Sequence, residues 1–126
     1  MSTVTAAMTT TEIANRLFEL CSKGEFETAQ KELFADDAVS IEANSTPAFE
    51  KETTGLNAII EKGHKWNSMV EEYHGMTVSN PLVGEGSFAV TMSMSVTMKE
   101  RGRMDMTELC VYNVKDGKIV SEQFFM

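Results

Sequence analysis

The clearest pattern in the chain is the stretch Phe88–Met98, where apolar and small polar residues alternate without a break. Phe88, Val90, Met92, Met94, Val96 and Met98 take one side, and Ala89, Thr91, Ser93, Ser95 and Thr97 take the other. That is the period of a strand with one buried face. At about 3.3 Å per residue such a strand runs roughly 36 Å, so a small domain can hold it only by curving the sheet. A curved sheet has a concave face, and that face is the expected pocket.

The first half reads as helices and the second as strands, the pattern of an α+β domain with helices on one face of an antiparallel sheet. Thr9 and Glu12 form a capping box, followed by Ile13, Leu17, Leu20 and Cys21 at helical spacing and a stop at Gly24. A short second helix carries Phe26, Ala29, Leu33 and Phe34, and a strand follows over Ala38–Glu42. Residues 43–54 read as a loop. Gly55 then opens a third helix with Leu56, Ile59, Ile60, Gly63, Asn67 and Val70 on its inner side, where Asn67 needs a hydrogen-bond partner. A strand is predicted over 71–83, with Pro81 suiting an edge or a bulge. Two long strands and a shorter one finish the chain, turning at Arg101-Gly102 and Asp116-Gly117.

Register decides which side chains enter the pocket, because a slip of one residue turns a strand over. Glu100-Arg101-Gly102 suits a three-residue hairpin loop with Gly in the left-handed conformation. Lys99 would then pair with Arg103, Met92 with Cys110, Val90 with Tyr112 and Met94 with Glu108. Glu108 becomes a lone carboxyl on an apolar, Met-rich face. Two readings stand: the side chain reaches solvent or an Arg, or it is a pocket carboxyl whose pKa desolvation raises toward neutrality.

Composition narrows the partners. The 126 residues suit one domain, expected over 11–126 behind a flexible tail at 1–10. A formal charge of −8 with no basic cluster argues against nucleic acid and anionic membranes. The N-terminal stretch has no signal-peptide pattern and no apolar run long enough to span a bilayer, so a cytoplasmic protein is expected. Cys21 and Cys110 lack metal or redox spacing and read as buried thiols. His64 and His74 with Glu42 and Glu108 match no compact ligand motif, so neither metal nor cofactor is expected. Trp66 and Tyr73 offer flat apolar surface to a ligand, and the many methionines, Met92, Met94 and Met106 among them, are adaptable filler for the core or for a pocket. No nucleophile motif or nucleotide loop is present.

The order of these pieces suggests a family. A helix, a Gly turn and a short helix lead into Phe34-Ala35-Asp36-Asp37-Ala38-Val39-Ser40-Ile41-Glu42; Gly55-Leu56-Asn57-Ala58-Ile59 opens a helix, and Asp116-Gly117-Lys118-Ile119-Val120 lies near the end. Over residues 12–126 this resembles the nuclear transport factor 2-like superfamily, in particular its SnoaL-like domains. The resemblance implies a cone: a strongly curved antiparallel sheet wrapped over three helices, open at one end and often dimeric through its outer face. It also implies ketosteroid isomerase, polyketide cyclase, dehydratase or purely binding roles, among which fold cannot choose.

Residue by residue, Glu42 falls where the isomerases place their catalytic base. Their oxyanion-hole positions fall on Leu17 and on Leu109 or Cys110, which cannot donate as those groups do. His74 and Glu108 are the nearest candidates for a cyclase acid-base pair. The resulting expectation is a pocket protein for a small apolar, carbonyl-bearing molecule, with Glu42, Glu108 and His74 as proton-transfer candidates. Trp66, Asn67, Tyr73, Met92, Met94, Met106, Cys110 and Tyr112 are the candidate ligand contacts. The alternative is a non-catalytic ligand-binding or homodimeric interaction module. Outward-facing Thr91, Thr97, Thr107, Leu109 and Val111 suggest a homodimer formed by paired sheets.

Overall fold

In a computed structural model describing residues 7–126, three helices pack on a seven-stranded curved sheet. The N-terminal capping box is present: the Glu12 N–H donates to Thr9 Oγ1 at 3.1 Å and the Thr9 N–H donates to Glu12 at 2.9 Å. Helix α1 (Thr10–Ser22) buries Ile13, Ala14, Leu17, Leu20 and Cys21 along one stripe. Of the expected tail, residues 1–6 lie outside the described residues, and Ala7 packs against the turn at Gly117. Helix α2 (Phe26–Leu33) buries Ala29 and Leu33. Helix α3 (Leu56–Met69) starts from Gly55, whose φ of 100° favours glycine, and buries Ile59 and Ile60.

The strands are β1 (Phe34–Ile41), β2 (Glu52–Thr54), β3 (Val70–Val78), β4 (Leu82–Val83), β5 (Ser87–Met98), β6 (Gly102–Lys115) and β7 (Lys118–Phe125). Their order is β2-β1-β7-β6-β5-β3, with β4 also on β5. Three points differ from expectation. The 43–54 stretch supplies β2, which pairs with β1. The 71–83 stretch is two strands, broken where Pro81 lacks an N–H. The sheet is not wholly antiparallel, since β1 runs parallel to β7, with Ser40 opposite Glu122.

The β5–β6 register differs by two residues. Met98 pairs with Gly102, so the loop is Lys99–Arg101, and Glu108 lies opposite Met92 rather than Met94. Gly102, at φ 77°, enters the ladder itself as the first residue of β6. A two-residue slip preserves the side on which every residue lies. Phe88, Val90, Met92, Val96 and Met98 are therefore buried as the alternation requires.

The core divides in two. Helices α1 and α2 pack on Phe88, Val90, Cys110, Tyr112 and Ile119. A smaller cluster gathers Val70, Val96 and Met98 with Trp66, Met69, Met94, Met104 and Met106 under the C-terminal end of α3.

Candidate functional site

The adjacent strands β1, β7 and β6 lay polar side chains into the concave face. Ser40 on β1 faces Glu122 on β7, and Glu122 faces Tyr112 on β6. Phe124 pairs with Cys110 one step further along, and Glu108 pairs with Met92. Helix α3 then lowers Lys62 onto this grid. Its Nζ donates to Ser40 Oγ at 2.6 Å and to Glu42 Oε1 at 2.9 Å, and lies 5.8 Å from the Phe124 ring centroid. The Ser40 hydroxyl in turn donates to Glu122 Oε2 at 2.6 Å. The Lys62 side chain is 15% exposed and that of Glu42 28%, so this ion pair is largely withdrawn from water.

Three carboxyls share one cation, and two of them pull away from their usual range. Burial pushes Glu108 up to about 7; the nearby charges of Glu42 and Glu122 add to this, and Lys62 opposes it. Burial also pushes Glu122 up to about 7, against the Ser40 hydrogen bond and the Lys62 charge. Near neutral pH each can therefore exist in either protonation state, which suits a group that gives or takes a proton. Cys110 and Tyr112 are fully buried neighbours whose ionisation burial suppresses. Both are packed in the main core.

The rest of the sequence-derived set is not gathered here. His74 faces the outer side, with a ring nitrogen 2.6 Å from Thr97 Oγ1; an irregularity in β3 between Tyr73 and Gly75 upsets the alternation there. Asn67, expected inside, is exposed and accepts from the Tyr73 hydroxyl at 2.7 Å. Tyr73 is 48% exposed. Trp66, Met94 and Met106 belong to the smaller Met-rich cluster, whereas Met92, Cys110 and Tyr112 pack in the main core. Sequence reading overlooked Lys62 and Ser40. A lysine one turn from Ile59 on an amphipathic helix is indistinguishable by pattern from a solvated one.

Of this cluster, only Lys62 borders a groove. A groove of about 230 Å³ between α3 and the 48–53 stretch is bordered by Phe49, Thr53, Ala58, Lys62 and Lys65. The Lys65 ammonium lies 5.2 Å from the Phe49 ring centroid and donates to the Ala48 carbonyl. A broader hollow of about 380 Å³ lies over β3, β5 and β6 at Gly75, Ser95 and Thr107. Among the described residues no group of three or more His, Cys, Asp or Glu is placed to hold a metal ion. No helix among them is long and apolar enough to cross a membrane.

Comparison with known proteins agrees with the fold. The SnoaL-like domain family matches residues 8–126, and the chain belongs to that family. It is similar to a candidate SnoaL-like polyketide cyclase from Mesorhizobium loti, with a TM-score of 0.88 and 36% identity over 94% of this chain and 100% of that one. A nuclear transport factor 2-like protein from Burkholderia thailandensis shares a TM-score of 0.79 at 16% identity, covering 94% of this chain and 90% of its own. A Catenulispora acidiphila protein with a ketosteroid isomerase-like fold, crystallised with trimethylamine, gives 0.65 at 18% identity, covering 94% and 87%. The last two likenesses speak for the fold alone. No curated protein matches the chain.

Proposed function

We propose that this SnoaL-like protein binds a compact apolar, carbonyl-bearing molecule and moves a proton on it, as an isomerase, cyclase or dehydratase does. One observation carries the reading: Glu42 bonds Lys62 at 2.9 Å, and Glu108, near enough to feel the charges of both, has its carboxyl raised to about 7 by burial. A carboxylate there abstracts a proton α to the carbonyl, and a protonated carboxyl returns one to the product. No metal or cofactor enters this scheme. A cytoplasmic setting suits the two buried free thiols, and the net charge of −8 disfavours nucleic acid and anionic membranes as partners.

The test is exchange of the α-protons of cyclohexanone in deuterated buffer, followed by NMR. Wild type should accelerate exchange, while Glu42→Gln and Glu108→Gln should lose it and keep the fold. Equal exchange by wild type and the double variant would sink the reading.

A second reading, an interaction module, draws on the outer face. There Thr91, Leu109 and Phe125 form one row, and Leu82, Ala89, Val111 and Gln123 the next. Leu109 is 42% exposed, Phe125 45% and Leu82 79%. Apolar rows of this kind suit a homodimer made by pairing two sheets, with or without catalysis.

A further inference from the structure

Proton abstraction next to a carbonyl places negative charge on the carbonyl oxygen, and some group must meet it. By the family resemblance, the positions where isomerases carry donors fall on Leu17 and on Leu109 or Cys110, none of them suited to the task. Lys62 is different. Its ammonium has three N–H donors, and the described residues occupy two of them, at Ser40 and Glu42. The same side chain borders the groove lined also by Phe49, Glu50, Thr53 and Glu61, so it is open to a ligand from that side. The two other cationic side chains in this part of α3 are engaged elsewhere: Lys65 with the Ala48 carbonyl and the Phe49 ring, His64 with Glu27.

We propose that Lys62 is the electrophilic group of the site, donating its third N–H to the ligand's carbonyl oxygen. The assignment rests on the proton-transfer reading above. When Glu42 takes the α-proton, the C–H electron pair forms a carbon–carbon double bond and the carbonyl π pair moves onto oxygen. Glu42 becomes neutral as the ligand oxygen becomes negative. Lys62 stands 2.9 Å from Glu42 Oε1 and so compensates the charge on both sides of the step. If the ligand is a β,γ-unsaturated ketone the enolate extends over its second double bond, so return of the proton to the γ-carbon restores the carbonyl and completes an isomerisation with no further reactant; in a saturated ketone the proton returns to the α-carbon and the step is an exchange. Ser40, held by Glu122, acts as a positioning residue for Lys62, fixing the ammonium by a second hydrogen bond beside that to Glu42.

The probe is 4-nitrophenol, whose phenolate oxygen imitates an enolate and whose absorbance reports its ionisation. Wild type should bind it with a larger phenolate fraction than free probe shows at the same pH, and Lys62→Met and Lys62→Gln should abolish that gain. Gln keeps a donor without the charge, so it serves if Met impairs folding, with thermal unfolding as the control. A wild type that gives no phenolate gain overturns the assignment, as does an undiminished gain in a folded Lys62 variant. In the cyclohexanone assay, Lys62→Met should slow exchange by about a hundredfold, as for loss of one oxyanion donor. Exchange that survives this change in a folded protein rejects Lys62 and leaves the carboxyl reading in place. Exchange that survives loss of both Glu42 and Glu108 rejects the reading itself.

Discussion

Ser40 and Glu122 stand directly opposite each other on the parallel strands β1 and β7, and their side chains meet at 2.6 Å with both residues buried. Among the described residues the hydroxyl donates to no other acceptor, so removing the carboxyl leaves that donor unpaired. Glu122→Ala should cost about 1–3 kcal/mol for the unsatisfied group. Glu122→Gln keeps an acceptor and sheds a buried charge, so it should be near neutral or stabilising. Urea unfolding of both variants checks this; equal losses would show that the hydrogen bond is not what matters.

Stability should fall as pH rises from about 5 to 8. Glu108 and Glu122 have folded-state pKa values of about 7, above the ordinary 4.5, so over that window the folded state holds protons that the unfolded state has released. Their contribution is fully present below the unfolded value and lost as pH passes the folded one. The Glu108→Gln, Glu122→Gln double variant should flatten the slope between pH 5 and 8. An unchanged slope would place its origin in other groups.

Glu108→Leu should stabilise the fold and abolish ligand binding, because a desolvated carboxyl amid Met92 and Cys110 is replaced by a side chain that suits its surroundings. Thermal unfolding reads the first effect and 4-nitrophenol titration the second. Intact probe binding in this variant would remove Glu108 from the site.

The turn at Asp116-Gly117 should be the least tolerant glycine position. Gly117 has φ 75°, and a Cβ there would lie 2.6 Å from the Ala7 Cβ; Gly102 has φ 77° with open space around it. Gly102→Ala carries only the left-handed backbone cost, about 1–2 kcal/mol. Gly117→Ala adds displacement of Ala7, so it should lose more on chemical denaturation. The reverse order would count against the packing of Ala7 on this turn.

For the outer face, light scattering at tens of micromolar should give a dimer mass for wild type and a monomer mass for Leu109→Lys. The substitution puts a charge between Thr91 and Phe125, where the sheets are proposed to pair. A monomeric wild type would remove the dimer.

Alternation and capping made much of the fold legible from residues alone. The Thr9–Glu12 box, the Asp116-Gly117 turn and the Phe88–Met98 strand each write local geometry into adjacent residues, and strand parity survives an even slip, so Glu108 reached the concave face despite a misjudged loop. The partners of that carboxyl were not legible. Glu122 meets Ser40 only because two strands far apart in the chain pair in parallel, and Lys62 joins them only because α3 crosses that part of the sheet. Local periodicity records which side of its own element a residue occupies. It does not record which other element comes to lie over it, and for Lys62, Ser40, Glu42 and Glu122 that long-range packing decided the chemistry.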